Sequence, residues 1–196
     1  MIQGKAALVV IDVQQGIVDR ESKFFLPENA AIVERIRTLV DACRNADIPI
    51  IYVKEVHRPS GIDFGRELDG SEGVHALENS PRTEVADAVG RQPNDPLIPK
   101  RRYSCFLYTD MDVVLSGLHV FPHDTLILCG FLTDVCIHYS FVDAHQRDYR
   151  LKVVEDCCGA STPEAHEGSL KAMEYLQKDA PVKLEEILKD IENYNG

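Results

Sequence analysis

The chain has 196 residues, 44% of them hydrophobic, and a formal net charge of −11 at pH 7. This length and composition suit one globular domain, residues 1–196, with a sizeable core. The acidic excess is spread along the chain and argues against a nucleic-acid surface, which needs clustered Lys and Arg.

The predicted elements alternate between strands and helices. Apolar runs rich in branched residues predict buried strands, in chain order, at residues 6–13, 50–53, 97–99, 125–129, 151–154 and 182–184. Apolar residues at helical spacing predict helices at residues 28–46, 110–117, 134–148 and 164–178, and a polar helix follows the last strand. This alternation predicts an α/β three-layer sandwich, Rossmann-like, whose mainly parallel six-stranded sheet has helices on both faces.

The long segment at residues 54–96 is rich in Gly, Pro and charged residues. A segment of this length without strands is usually functional, as a lid or an oligomer contact. We therefore expect a homo-oligomer, a dimer or a larger symmetric assembly. A light-scattering mass near that of the 22.0 kDa monomer at micromolar concentration would contradict this expectation.

Six cysteines are present, and none shows the paired C-x-x-C spacing of zinc or redox sites. The chain also starts without a secretory signal, and no apolar run reaches the ~20 residues that span a bilayer. We therefore expect reduced thiols in a cytoplasmic protein that binds neither membranes nor nucleic acids.

Cys136 differs from the other cysteines in its position. It follows the strand at 125–129 and falls in the first turn of the predicted helix at 134–148, where Thr133 or Asp134 can serve as a cap. Unpaired N–H groups and the helix dipole favour a thiolate there, and ligands bind at this edge of open α/β sheets. Cys136 is therefore a candidate nucleophile.

Two further polar residues follow predicted strands, Asp12 after the first and Lys100 after the third. Each has an ordinary alternative: Asp12 as a helix cap, Lys100 as a solvated surface residue, Cys136 as core. Parallel strands bring their carboxyl ends to one edge, so the three together form a base, a cation and a nucleophile.

Four segments resemble the isochorismatase-like cysteine hydrolases, a superfamily that includes nicotinamidases, N-carbamoylsarcosine amidohydrolase, and ureidoacrylate and biuret hydrolases. They occur in register between about residues 6 and 162: VVIDVQQ at 9–15, KRRYSCFLYT at 100–109, GFLTDVC at 130–136, and Asp143-Ala144 followed by Tyr149 and VVED at 153–156.

This resemblance implies an Asp12, Lys100 and Cys136 catalytic triad. It also implies an oxyanion hole of backbone N–H groups around the nucleophile, at Leu132 and Cys136, arranged by a cis peptide bond between Phe131 and Leu132. The chemistry agrees: Asp12 accepts the thiol proton, Lys100 keeps Asp12 ionised, and aligned donors stabilise the tetrahedral oxyanion.

The surroundings of this triad are less well defined by sequence. We expect no cofactor. Glu55, His57 and His75 nevertheless offer an alternative metal site, since metal-dependent nicotinamidases carry an Asp-x-His motif and a further His after the second strand. Pocket candidates are Phe24, Phe25, His57, Phe106, Leu132 and Tyr139. Arg101 and Arg102 are candidates for holding a substrate carboxylate, or for pairing with acids of the long segment.

The leading hypothesis is a cysteine-dependent hydrolase that cleaves a C–N bond of a small amide or ureido compound through a thioester. One alternative is enol-ether cleavage of the isochorismatase type, in which the cysteine position need not be a nucleophile. A second alternative is a catalytically idle scaffold of the same fold.

Overall fold

The computed structural model describes residues 1–194, so the last two residues of the predicted domain lie outside the described residues. Six strands form one sheet: β1 (Ala6–Ile11), β2 (Ile50–Glu55), β3 (Leu97–Lys100), β4 (Thr125–Phe131), β5 (Arg150–Gly159) and β6 (Pro181–Val182). All neighbouring strands pair in parallel, in the order β3-β2-β1-β4-β5-β6. The predicted six-stranded parallel sheet is confirmed.

Helices cover both faces of this sheet. They are α1 (Gln15–Val18), α2 (Asn29–Asn45), α3 (Met111–Gly117), α4 (His138–His145), α5 (Pro163–Leu176) and α6 (Leu184–Glu192). One core layer packs α3, α4 and α5 against the sheet, and the other packs α2 and α6 against the opposite face. Successive residues of β1 alternate between these two layers, since side chains of a strand point to opposite faces. The three-layer sandwich is therefore confirmed.

The strand order places a topological switch point beside β1. The chain runs from β1 outward to β2 and β3 on one side, then returns to β4 and continues outward on the other. Ligands of open α/β sheets bind outside the carboxyl ends of the strands at such a point. Asp12 follows β1 directly, and Cys136 lies five residues past β4.

Several predicted boundaries of strands and helices are wrong. Most of the differences occur where acidic side chains lie at the end of a strand. β1 ends at Ile11 because Asp12 has a left-handed φ of 53°. β2 continues to Glu55 and β5 to Gly159, where charged residues interrupt the apolar pattern although the backbone stays extended. The predicted helix at 134–148 is also divided, since residues 133–137 form one π-helical turn before α4 begins.

The long segment contains three short 3₁₀ turns: Glu67–Asp69, Pro81–Thr83 and Asp87–Val89. Its Val85 pairs in antiparallel fashion with Gln14, which follows β1, and its His57 and Leu77 pair in parallel with each other. Part of the long segment therefore lies above the carboxyl ends of β1 and β2. Within residues 1–194, no helix has the length and apolar character needed to cross a membrane.

Candidate active site

The three side chains predicted to converge lie together at the carboxyl edge of the sheet. The Lys100 Nζ is 2.8 Å from the Asp12 Oδ2 and 3.2 Å from the Cys136 Sγ. Lys100 is fully buried, and Asp12 and Cys136 are 8% and 7% exposed. The ammonium group therefore bridges a carboxylate and a thiol in a site with little access to water.

Glu55 is a fourth member of this cluster that the sequence interpretation missed. Its Oε2 lies 2.8 Å from the Lys100 Nζ and accepts a hydrogen bond from the Cys136 Sγ at 3.8 Å. Glu55 and Lys100 are paired residues of β2 and β3, so strand register places them side by side. A carboxylate oxygen of Asp12, one of Glu55 and the Cys136 Sγ all lie within 4.8 Å of one another.

Gln14 fixes the position of Glu55 through its side-chain amide. The Nε2 donates to the carbonyl oxygens of Glu55 and Thr83 at 2.9 and 2.7 Å, and the Oε1 accepts from the Glu55 N–H at 3.1 Å. Every polar atom of a buried amide is costly unless it is paired. Gln14 therefore joins the end of β2 to the long segment and holds the backbone of Glu55 in place.

The turn that carries Cys136 is held by side chains on either side. The Thr133 hydroxyl donates to the Gly159 carbonyl oxygen at 3.0 Å and lies 2.9 Å from the His166 Nδ1. Asp134 accepts hydrogen bonds from the N–H and the hydroxyl of Ser161. The peptide bond before this turn, between Phe131 and Leu132, is cis. β5 and α5 thus hold the turn that carries Cys136 in place.

Burial and charge set the protonation states of the cluster. Burial, supported by the Asp12 and Glu55 carboxylates, raises the pKa of the Cys136 thiol well above its usual value, although Lys100 opposes the shift. Burial lowers the Lys100 pKa, but Asp12, Cys136 and Glu55 outweigh that effect and raise it well above normal. These directions favour a thiol at Cys136 and a cation at Lys100, whereas the helix position alone favours a thiolate.

The two carboxylates differ in basicity. Burial raises the pKa of Asp12 to about 6, against the lowering effect of Lys100. Burial also acts to raise the pKa of Glu55, but Lys100, His57 and His75 together hold it well below its usual value. The group with the higher pKa is the stronger base. Asp12 is therefore better suited than Glu55 to accept the thiol proton.

A cavity of about 770 Å³ opens above Cys136. Phe24 and Leu132 line it as the sequence indicated. The other pocket candidates lie elsewhere: Phe106 is buried against Tyr149, Tyr139 is half exposed and stacks on Tyr103, and His57 is fully buried and stacks on Phe64. The turn at Phe106 directs that side chain to the core, and helix α4 directs Tyr139 to the surface.

Arg101 and Arg102 lie outside the residues that line the cavity. Arg101 donates to the Glu78 carboxylate at 2.8 Å and lies 3.2 Å from the Asp63 Oδ2. Arg102 donates to the carbonyl oxygens of Asp63 and Arg101. Arg101 therefore pairs with acids of the long segment, as in the alternative raised from sequence, whereas Arg102 contacts only backbone carbonyl oxygens among these bonds.

A second group of donors lies beside the triad and could hold a metal ion. It consists of Glu55, His57, Glu67 and His75, whose candidate ligand atoms all lie within 4.8 Å of one another. The His57 Nε2 is 3.3 Å from the Glu55 Oε1, and the His75 Nε2 is 3.5 Å from the Glu67 Oε1. Ligands of a tetrahedral zinc ion are about 3.3 Å apart, given Zn–N distances of about 2.0–2.1 Å. Glu67, which sequence reasoning missed, completes a set of four.

Residues 6–182 match the isochorismatase domain family. This chain belongs to that family. The resemblance read from its motifs is thereby confirmed. Members with similar sequences include maleamate amidohydrolase of Pseudomonas putida, 28% identical over 168 residues, which are 85% of this chain and 78% of that protein. A ureidoacrylate amidohydrolase of Methylorubrum extorquens is 27% identical over 189 residues, covering 85% and 75% of the two chains.

One similar family member carries a different description. A probable inactive nicotinamidase of Arabidopsis thaliana is 28% identical over 181 residues, covering 89% of this chain and 91% of that protein. Similarity within the isochorismatase family therefore does not by itself establish catalysis.

Solved structures of the family share the fold. A cysteine hydrolase of Pseudomonas syringae superposes with a TM-score of 0.87 at 27% identity, covering 98% of this chain and 97% of that one. A pyrazinamidase of Pyrococcus horikoshii in complex with zinc superposes with a TM-score of 0.77 at 23% identity, covering 92% and 99% of the two chains. At 23% identity, the similarity to the pyrazinamidase supports the shared fold alone.

Proposed function

We propose that this protein is a cysteine-dependent amidohydrolase that cleaves a C–N bond of a small amide or ureido compound through a thioester. The contacts of the Lys100 ammonium support this proposal most. It touches the Asp12 carboxylate and the Cys136 sulfur at the base of an open cavity. The names of related family members, which are amidohydrolases, support the same reaction class.

In the proposed first half-reaction, Asp12 takes the proton of the Cys136 thiol as the sulfur attacks the substrate carbonyl carbon. The new C–S bond converts the carbonyl oxygen into an oxyanion, which the backbone N–H groups of Leu132 and Cys136 would stabilise. The C–N bond then breaks, the Asp12 carboxyl gives its proton to the leaving nitrogen, and ammonia or an amine departs. Lys100 keeps its positive charge and offsets the negative charge on Asp12 or the sulfur.

In the second half-reaction, Asp12 removes a proton from water, and the oxygen attacks the thioester carbonyl. Breakdown of this intermediate breaks the C–S bond, releases the carboxylic or carbamic acid and returns the proton to the sulfur. Each turnover therefore consumes one water and restores the thiol.

The function is tested by ammonia release from a panel of nicotinamide, pyrazinamide, N-carbamoyl amino acids, biuret and maleamate. We expect at least one to be hydrolysed by the wild type and none by Cys136→Ala. Full turnover by Cys136→Ala would contradict the mechanism, and inactivity of the wild type on every amide and ureido compound would contradict the function.

The two alternatives make different predictions. Enol-ether cleavage would release pyruvate from isochorismate without needing the thiol. An idle scaffold would show no selective labelling of Cys136 by a thiol electrophile in the folded state, whereas the other five cysteines are at most 5% exposed and should react slowly in either case.

We expect kcat/KM to rise with pH through about 6, because the Asp12 carboxyl must lose its proton before it can act as a base and its pKa is raised to about 6. Below that pH the carboxyl is protonated and activity falls about tenfold per unit. A rate profile from pH 4.5 to 8 tests this, and constant activity down to pH 4.5 would show that another group is the base.

The residues of the second donor group fit a divalent cation, because both His Nε2 atoms face two carboxylates and the Glu67 Oε2 is buried without a hydrogen-bond partner. Glu55, His57, Glu67 and His75 would hold the ion, which would supply positive charge beside the substrate. The proton transfers proposed above remain those of Asp12 and Cys136.

We expect isothermal titration to detect one bound Zn²⁺ per wild-type chain and a loss of at least about tenfold in affinity in His57→Ala, as ligand removal usually weakens a site. His57→Ala should alter the Michaelis constant or substrate preference more than kcat, since His57 transfers no proton. If the variant lost all activity and Zn²⁺ restored chelated wild type, the metal-free mechanism would have to be replaced.

A further inference from the structure

Thr133 lies behind the cavity, between the two residues whose backbone N–H groups would stabilise the oxyanion. It directly follows Leu132 and precedes Cys136 by three residues, in the π-helical turn at 133–137. Leu132 and Cys136 line the cavity, whereas Thr133 is fully buried and lies outside the lining. The Thr133 side chain can therefore act on a substrate only through the backbone that it holds.

The two contacts of the Thr133 hydroxyl decide which nitrogen of His166 carries a proton. The Gly159 carbonyl oxygen, 3.0 Å from the Thr133 Oγ1, can only accept, so the hydroxyl proton lies in that bond. The His166 Nδ1, 2.9 Å from the same hydroxyl oxygen, must then donate a proton of its own. His166 therefore carries a proton on Nδ1, and the Thr133 hydroxyl gives one hydrogen bond and receives one.

Helix α5 holds the His166 ring in a fixed place. His166 lies in the first turn of this helix, where the Thr162 side chain caps it by accepting from the Ala165 N–H. Leu170 and Met173 follow four and seven residues later on the same helix face, and both pack in the core. The ring therefore projects from a capped helix that apolar burial anchors to the sheet.

The acceptor of the Thr133 hydroxyl also belongs to a rigid element. Gly159 and Phe131 are paired residues of β5 and β4. A Cβ built at Gly159 would lie 2.2 Å from the Phe131 ring, so the two strands pack closely at this point. Thr133 therefore ties the turn to the sheet through Gly159 and to α5 through His166.

The charges around His166 leave this bond intact. Four charged groups influence the ring: Asp134, Glu155, Glu167 and Lys183. Burial has the largest effect and lowers the pKa of His166, with support from the lysine and against the three acids. The ring is therefore neutral at pH 7. Since the imidazolium also carries a proton on Nδ1, titration of His166 would not break its bond to Thr133.

We propose that His166 is a positioning residue for the oxyanion hole, acting through the Thr133 hydroxyl on the backbone N–H groups of Leu132 and Cys136. This inference rests on the proposed amidohydrolase function. His166 lies outside the cavity lining, so it acts on the chemical step and not on substrate binding. Loss of one oxyanion donor costs about 100- to 1000-fold in turnover, and a shift of about 1 Å can cost about 100-fold.

Two amide replacements of His166 test the bond, because each places an N–H at a different ring position. The amide nitrogen of asparagine occupies the place of Nδ1, and that of glutamine occupies the place of Nε2. The rate of ammonia release is measured in a single turnover with enzyme in excess, on an amide that the wild type hydrolyses. This rate reports acylation, and its dependence on enzyme concentration gives the Kd of the substrate.

We expect His166→Gln to slow acylation by at least about 30-fold, and His166→Asn to recover the rate to within about threefold of the wild type. The Kd should change by less than about threefold in both variants, because neither side chain would touch the substrate. Glu167→Gln, an exposed change at the next position of α5, is the matched control and should keep the wild-type rate. Equal rates for His166→Gln and His166→Asn would overturn the inference.

Thr133 provides an independent pair of variants, which also covers the case in which His166→Gln does not fold. Thr133→Ser keeps a hydroxyl, whereas Thr133→Val keeps the shape without one. Thr133→Val should slow acylation by at least about 30-fold and Thr133→Ser by less than about threefold. The double variant Thr133→Val/His166→Gln should be within about threefold of Thr133→Val, since both changes break the same bond. Thr133→Val with the wild-type acylation rate would overturn the inference.

Alkylation of Cys136 by iodoacetamide separates a positioning role from a merely structural one. In that reaction the sulfur displaces iodide from carbon and the thiol proton leaves to solvent, so no oxyanion forms. His166→Gln and Thr133→Val should therefore be alkylated within about threefold of the wild-type rate although their acylation is slow. Equal losses in both reactions would overturn the inference, because the nucleophile itself would then be disturbed.

Turnover distinguishes failure of this inference from failure of the function. If the wild type hydrolyses an amide and His166→Gln acylates at the wild-type rate, the inference is overturned and the amidohydrolase function stands. Inactivity of the wild type on the whole panel of amide and ureido compounds would overturn the function and the inference with it.

Discussion

We expect replacement of Asp12 by asparagine to lower kcat by at least about 100-fold, within the usual range for a positioned acid or base. Asparagine keeps the shape of the side chain but cannot accept the thiol proton. Because burial raises the pKa of Cys136 well above normal, the thiol has no other means of ionising at neutral pH without a base. The effect should therefore appear in acylation, measured as the rate of the first ammonia release.

Lys100→Ala should lower kcat as much as Asp12→Asn does, for a different reason. It leaves the buried Asp12 and Glu55 carboxylates without their shared cation, and one of them must then take a proton. The three groups act as a unit, so the double variant Asp12→Asn/Lys100→Ala should be little slower than either single variant. Thermal unfolding of each variant must accompany the kinetics, because breaking a buried ion pair typically costs about 3–5 kcal/mol.

Glu55→Gln provides the sharpest comparison for Asp12→Asn. Both changes replace a carboxylate 2.8 Å from Lys100 with its amide. Since Asp12 is the stronger base, Asp12→Asn should lower kcat more. If Glu55→Gln abolished acylation and Asp12→Asn retained it, Glu55 would be the base. Asp112→Asn, which removes an exposed carboxylate from α3, should retain full activity and serves as the control.

The sequence predicted that Asp12, Lys100 and Cys136 would lie together, because parallel strands have a simple geometric consequence. Asp12, Lys100 and Cys136 each follow a strand, and the carboxyl ends of neighbouring strands meet at one edge. No knowledge of side-chain packing was needed for that prediction. The parallel sheet and the helices on both of its faces follow from the same pattern, whereas the strand order comes from the structure alone.

The sequence did not predict that Glu55 joins the Asp12, Lys100 and Cys136 cluster, because Glu55 lies inside a strand rather than after one. The apolar run of β2 stops at Val53, so Lys54 and Glu55 look like the start of a loop. The backbone nevertheless stays paired with β3 through Lys100, and the carboxylate becomes buried. A functional carboxylate at the end of a strand breaks the hydrophobic pattern that would reveal the strand, and β5 shows the same effect at Glu155.

The turn at residues 133–137 escaped prediction for a related reason. Helical periodicity over so few residues does not distinguish a π-helical turn from the start of an α-helix. The protonation state of Cys136 also depends on what surrounds it. The dipole argument favours a thiolate, whereas burial and two nearby carboxylates raise the pKa of the Cys136 thiol.

We expect Gly130→Ala to lower the free energy of unfolding by about 3–5 kcal/mol and to slow acylation. Gly130 has a φ of 127°, and a Cβ built there would lie 1.9 Å from the carbonyl oxygen of Ile11. The obstacle is backbone, so no side-chain rotation can relieve it. Because Ile11 and Gly130 are paired residues of β1 and β4, the strands would have to separate.

Chemical denaturation measures this loss, and Gly168→Ala is the matched control. Gly168 lies within α5, where a Cβ would meet nothing within 4 Å. Alanine is favoured over glycine in a helix by about 1 kcal/mol, so the control should be neutral or more stable. Gly130→Ala with unchanged stability would show that β1 and β4 are farther apart than described here.

The loss of activity in Gly130→Ala should exceed what its stability alone explains. The strand ends that it would push apart lead directly to Asp12 on one side and to the Cys136 turn on the other. Proton transfer between these residues depends on a separation that the structure places within 4.8 Å, and a shift of about 1 Å can cost about 100-fold in rate. Folded Gly130→Ala, isolated below its unfolding temperature, should therefore bind substrate but acylate slowly.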